Sequence, residues 1–346
     1  MKILKLLSVN LILIFLLTEI MLRALWQSPY VSSYDGAYFH EPNQEILFKN
    51  ISKIYGEEET VSFRTTRFGN VIGPKGFEEI IENDFAIALG GSTTESALVP
   101  ENKRWPDLVR LPTLNFGKSR LNSSHTKENL KYLLKDYGLK PKKVFVMDGA
   151  NNLSAFLSKG PDALQNTDAK QSLYRLILKT SYSSALLWSY IKSYDYLTFY
   201  KTQVALNKKI PLIKDAELEE FWILEKKTIL RSQEEVFKAL KDIGGKDVPI
   251  FILTQPHSFE EYYKPETVDL RWTPVIKNKR LSILQSKWLV DLYNQTTREA
   301  AKNVGLESID ISSCFQKEPI NGIFYDSFHY TEKGSRLFAK CLSSSL

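Results

Sequence analysis

Residues 85–94 read FAIALGGSTT, an apolar run that breaks into two glycines, a serine and two threonines. A short run that is apolar at nearly every position suits a strand buried on both faces, and the break marks where the chain leaves the sheet. Gly90 and Gly91 permit a tight turn and close backbone approach, and a helix beginning there would offer free N–H groups beside the Ser92 hydroxyl. The residue two after Ser92 is Thr94, so this is not the Gly-x-Ser-x-Gly elbow of the α/β-hydrolases. Taken alone, such a turn is most often only a turn.

The same rhythm recurs along the chain. Strand patterns at Thr113 to Phe116, Val144 to Met147, Val248 to Leu253 and Leu306 to Ile311 end in Gly117, Asp148-Gly149-Ala150-Asn151-Asn152, Thr254-Gln255-Pro256-His257 and Ser312-Ser313. Between them lie helical patterns, among them Ser124 to Tyr137, with Ser124 as cap and Leu130, Leu133 and Leu134 on one face. Strands alternating with helices predict an α/β fold with a central parallel sheet covered on both faces. Two long stretches interrupt it. Leu153 to Leu240 is dense in Leu, Tyr and Trp (Leu173 to Leu178, Leu186 to Tyr200) and reads as a helical cap inserted at about 153–240, with a membrane-facing or substrate-facing surface as the alternative. His257 to Lys279 leaves a strand end and should overhang the region where open α/β sheets bind ligands. Residues 27–80 read as a lead-in with short strands, and 81–346 as the main domain.

Composition narrows the function. The 346 residues are 43% hydrophobic and 25% charged, with net charge +6 spread among acids, which argues against a nucleic-acid surface. No dinucleotide, phosphate-loop, zinc-protease or paired-carboxylate pattern stands out, so metal hydrolysis, dinucleotide binding and phosphoryl transfer drop away. Cys314 and Cys341 are either buried thiols or, in an oxidising compartment, one disulfide near the C-terminus. Lys2 and Lys5 precede the apolar run Leu6 to Leu17, and Glu19 with Arg23 follow. Residues 1–26 read as a transmembrane anchor or signal segment; an uncleaved single-pass anchor would place the remainder outside the cytoplasmic membrane, periplasmic or at the cell surface. A cleaved signal and a helix packed on the domain are the alternatives.

Asp326-Ser327-Phe328-His329 lies ahead of a last helical pattern for which Thr331 is a candidate cap. With Ser92 it supplies nucleophile, base and orienting acid. Gly117 could aim an N–H at an oxyanion, and Asn151 could add a side-chain amide beside the Ser92 N–H. Lys118 and Arg120 place positive charge nearby. His257 reads as a loop residue, and His40 and His125 lack a constellation.

This ordered set resembles the SGNH/GDSL hydrolase family in Ser92, Gly117, Asn151 and His329, over roughly Phe85 to Ala339. The resemblance implies a flavodoxin-like three-layer α/β/α sandwich, with Ser92 as nucleophile and oxyanion donor, Gly117 and Asn151 completing the oxyanion hole, and Asp326 orienting His329. It also implies no cofactor. Gly91 stands where the common block has aspartate, as in GGST-type members, and Asn152 replaces the aspartate that usually follows the asparagine. The anchor and the Phe63-Arg64-Thr65 segment look like the membrane-anchored bacterial branch. The activity implied is serine esterase, with an acyl ester, for instance an O-acetyl group on an envelope glycan or lipid, as substrate. Two alternatives stay open: O-acyl transfer to a polysaccharide, although alginate-type acetyltransferases resemble a permuted order, and a catalytically silent envelope-binding protein.

Overall fold

The computed structural model describes residues 10, 13–22, 38–50, 58–160, 196–260, 270–318 and 321–346. An antiparallel pair, β1 (Glu45–Lys49) and β2 (Thr60–Arg64), comes first. The α/β body follows as β3 (Ala86–Gly90), α1 (Ser92–Glu95), β4 (Thr113–Asn115), α2 (Ser123–Lys131), β5 (Lys143–Met147) and α3 (Gly149–Lys159). It continues through α4 (Tyr196–Lys208), α5 (Asp215–Gly244), β6 (Ile250–Leu253), the small pair β7 (Val275–Ile276) and β8 (Lys279–Arg280), α6 (Ile283–Val304), β9 (Glu307–Ile309), α7 (Ile311–Phe315) and α8 (Glu332–Ser344).

The five central strands are parallel, in the order β4-β3-β5-β6-β9. Counted within the sheet, that is the 2-1-3-4-5 order of flavodoxin-like doubly wound folds. Alternate strand residues enter different cores. Ile87, Leu89, Val144, Val146, Ile250 and Ile252 pack with Leu130, Val236, Leu240 and Ala300 from α2, α5 and α6. Ala86, Ala88, Phe145, Met147, Phe251 and Leu253 pack instead with Trp105, Phe315, Phe338 and Leu342. Both faces are thus covered, which is why the strands read as unbroken apolar runs. The strand positions match the sequence reading to within two residues or so.

Other details differ. Asn122, not Ser124, is the N-cap of α2; the Ser124 hydroxyl lies inside the first turn and donates to Asn122 Oδ1 at 2.6 Å. The predicted helix to Tyr137 leaves α geometry after Lys131 and closes as a π turn, Tyr132–Asp136, with Tyr137 N–H donating to the Tyr132 carbonyl at 2.8 Å. Helix α5 crosses the expected end of the insertion. Its first half joins a third core (Leu218, Trp222 and Ile229 with Phe156, Phe259 and Phe328), while Val236, Phe237 and Leu240 cover the sheet. The predicted helical run Leu173 to Leu178, and Leu186 as far as residue 195, lie outside the described residues, as do most of residues 1–26.

Residues 13–22 form a helix in which Ile14, Leu17 and Ile20 are more than half exposed. Among the described residues no helix is long and apolar enough to cross a membrane. Cys314 of α7 and Cys341 of α8 form a disulfide, so the second of the two expected thiol arrangements holds. The lead-in is built into the body: Val71 N–H donates to the Asn115 carbonyl at 2.8 Å, adding a bridge to the outer edge of β4. Buried Arg104 spans three segments, donating to the carbonyls of Ser62, Ile72 and Ser96.

Candidate active site

Strand β3 delivers Ser92 to the C-terminal edge of the sheet. Gly90 has φ +156°, and a Cβ there would lie 2.3 Å from the Met147 carbonyl oxygen, so the turn needs glycine. Gly91 then caps α1, with Ser92 as its first residue, half-buried. The last loop comes from the far side of the fold. Thr331 caps α8 by accepting from Gly334 N–H, as expected, which fixes the exit of the Asp326 to His329 segment.

There the structure brings three predicted residues together. His329 Nε2 lies 2.6 Å from Ser92 Oγ, and His329 Nδ1 lies 2.7 Å from Asp326 Oδ2. The other carboxylate oxygen of Asp326 accepts the N–H groups of Phe328 at 2.9 Å and His329 at 2.8 Å. Asp326 is fully buried, and the His329 side chain keeps 19% exposure, enough to meet a substrate. Burial works to lower the His329 pKa, but the charge and hydrogen bond of Asp326 outweigh it, with Glu95 adding to them, so it lies above the ordinary imidazole value. The overhanging segment braces this loop. Ser258 donates from its N–H to the Ser327 carbonyl at 3.0 Å and from its hydroxyl to the Asp326 carbonyl at 2.7 Å. Trp272 exchanges backbone hydrogen bonds with the Ser327 hydroxyl and lies 5.5 Å, ring to ring, from Phe328. Tyr325 lies over the His329 ring, nearly parallel, at 5.5 Å.

The expected oxyanion donors are placed differently. Asn151, in the first turn of α3, lies against Gly91, where an added Cβ would sit 1.9 Å from its Nδ2; glycine in place of aspartate is therefore what this packing requires. Asn151 Nδ2 donates to the Leu121 carbonyl at 2.7 Å and keeps a second N–H. Gly117 packs on α1, with a virtual Cβ 2.3 Å from Glu95 N, and its N–H donates to Asn115 Oδ1 at 2.9 Å. It would reach an oxyanion only by sharing or releasing that bond. Asn152 is buried and pairs twice with Ser123, accepting from its N–H at 2.9 Å and donating to its hydroxyl, so it ties α3 to the start of α2. Behind it the buried Asp148 carboxyl accepts from Thr126 at 2.9 Å, and burial pushes it up to about 7.

Other residues resolve plainly. His257 is buried and pairs with Asp291 at 3.0 Å. His125 closes the capping box of α2. Lys118 donates to the Phe39 carbonyl, while Arg120 is solvent-exposed. His40 does have a constellation, one the sequence reading missed: its Nε2 lies 3.2 Å from Glu95 Oε1 and 3.1 Å from the Gly117 carbonyl oxygen. No local pattern in the sequence joins His40 to Glu95, which lies 55 positions further on. Among the described residues no group of His, Cys, Asp and Glu is arranged to hold a metal ion.

No protein-family model and no curated protein matches the chain. Several solved structures are similar to it at low identity. An α/β hydrolase, LAE5, from the metagenome of Lake Arreo is 13% identical, with 77% of this chain and 97% of that one covered at a TM-score of 0.40. A member of the lipolytic G-D-S-L family from Veillonella parvula is 13% identical over 76% and 97%, at 0.38. Axe2, an acetylxylan esterase from Geobacillus stearothermophilus, is 12% identical over 75% and 92%, at 0.41. These are likenesses of outline, and the chemistry is read from this chain's own residues.

Proposed function

We propose that this protein is a serine esterase of SGNH type that hydrolyses an acyl ester through an acyl-enzyme. The observation that carries the reading is the unbroken relay Asp326–His329–Ser92, in which each link is a hydrogen bond of 2.7 Å or less. His329 Nε2 takes the Ser92 proton as Oγ attacks the carbonyl carbon, and Asp326 holds the imidazolium that forms. The oxyanion would meet the N–H of Ser92 at the start of α1 and the second N–H of Asn151, with Gly117 as a third donor once Asn115 yields it. Collapse expels the alcohol, which takes the proton from His329. Water activated by the same nitrogen then releases the acid.

Full-length protein is expected to hydrolyse p-nitrophenyl acetate and to be labelled by a fluorophosphonate at Ser92. A Ser92→Ala variant that retains the rate would sink the reading.

The substrate class we assign is an O-acyl group on an envelope glycan or lipid, with the N-terminal segment as an anchor holding the domain outside the cytoplasmic membrane. Its support is the Lys2 and Lys5 flank, the exposed apolar side chains of 13–22 and a disulfide suited to an oxidising compartment. Protease added to intact spheroplasts should digest the domain; full protection would place it inside and refute this part.

A further inference from the structure

The segment before the sheet contributes directly to the site. Phe39 is buried against Phe116 and Tyr132, at ring distances of 4.9 and 5.7 Å, and Gly69, at φ +75°, lets the chain pass the His40 carbonyl where a Cβ would come within 2.4 Å. This packing drives His40 beneath the turn that follows β4. Its Nε2 faces both the Gly117 carbonyl and the Glu95 carboxylate, and both residues are over nine-tenths buried. The other Glu95 oxygen accepts the Ser119 hydroxyl, and the Lys118 ammonium bonds the Phe39 carbonyl.

Residues 117–119 are thus held one after another from below by the lead-in and α1. The turn they open is strained, since Arg120 sits at φ +71°, and such a conformation persists only where its surroundings over-determine it. The same turn ends at Leu121, whose carbonyl receives the Asn151 amide.

We infer that His40 and Glu95 are a positioning pair for the oxyanion side of the site. They fix the 117–121 turn, and through Gly117 and the Leu121 carbonyl they set where the Gly117 N–H and the Asn151 amide point. A buried carboxylate is costly without partners, and burial does work against its ionisation. The hydrogen bond and charge of His40, the Ser119 hydroxyl and the Lys118 charge outweigh that and hold Glu95 below the ordinary glutamate range. The N-terminal lead-in is therefore part of the catalytic apparatus rather than a tether. This inference rests on the esterase reading for its kinetic consequence, but not for its structural one.

The test uses full-length protein with His40→Ala, Glu95→Ala and His40→Gln, whose amide nitrogen reaches the same place as the imidazole Nε2. The alanine variants should lose roughly 30- to 100-fold in kcat on p-nitrophenyl acetate, the scale of removing support for preorganised donors, with KM within about twofold. The phosphonylation rate per Ser92 should fall in parallel, and His40→Gln should recover most of both. Fewer labelled sites at an unchanged rate per site would mean a folding role alone and would overturn the inference. Amide hydrogen exchange at 117–121 reads the positioning without catalysis. Protection should drop in His40→Ala, and unchanged protection overturns the inference even if the wild type proves inert to the probe, which would itself count only against the esterase reading.

Discussion

On the acid–base side of Ser92 every hydrogen bond a hydrolytic cycle needs is already made, from Asp326 through His329 to the serine hydroxyl. On the oxyanion side, Gly117 gives its N–H to Asn115 and Asn151 gives one of its own to Leu121. The first half is assembled by neighbours: acid and base are three residues apart, and the carboxylate is fixed by N–H groups of the same turn. The second half comes from the ends of two strands, and Phe39 and His40 of the lead-in touch the turn after β4. Local chemistry fixes the proton path, and long-range packing fixes the electrostatics that must wait for substrate.

Substitutions can set the two halves against each other. Asp326→Asn should cost about 10⁴ in kcat, by loss of the correct imidazole tautomer and of the charge that balances the imidazolium. The pH profile gives the sign. His329 must be neutral to act as base, so kcat/KM climbs as pH rises through its elevated pKa. Without the aspartate charge that limb should move to lower pH, and an unmoved limb would show that another group governs it. Asn151→Ala should cost about 10²–10³ in kcat and leave the limb in place. A shift of the limb in that variant would mean that the two halves are coupled.

Smaller effects fall on stability. The disulfide closes a 27-residue separation that contains the whole Asp326 to His329 loop, and Cys314→Ser is expected to lower unfolding free energy by about 3 kcal/mol, measured in urea. Asp148, whose buried carboxyl accepts from Thr126, makes stability depend on pH. Its folded pKa is raised to about 7, so the native state holds a proton that the unfolded chain releases. Stability should therefore be full below the ordinary aspartate range and fall by roughly 1.4 kcal/mol per pH unit up to about 7, then level off. Asp148→Asn should flatten that slope, as thermal melts at pH 5 and pH 8 would show.

Much of this was legible in the sequence because it depends on short-range pattern. The five strands announced themselves as apolar runs ending in glycine or polar residues, with Ser92 and Asn151 just past two of those ends and His329 in the loop before the last helix. Thr331 was readable as a cap because capping is a matter of one side chain and the next turn. His40 was not readable, since a lone histidine carries no sign that a glutamate 55 positions on will be buried against it. Arg104 was equally opaque: arginine is an exposed residue by habit, and only the folded chain shows three carbonyls converging on its guanidinium. Gly117 was singled out for its N–H, yet its missing side chain, which lets β4 close on α1, is the property the structure uses most visibly.

The bridge from Val71 to Asn115 has a further consequence. β4 is the outermost strand on its side of a parallel sheet, and an uncovered strand edge is a template for pairing with another chain. With one antiparallel bridge at Val71, the lead-in covers part of that edge. A chain trimmed to begin at β3 would keep every residue of the Ser92 relay and still be expected to clump, with its exposed backbone edge seeking a partner that the N-terminal segment otherwise supplies.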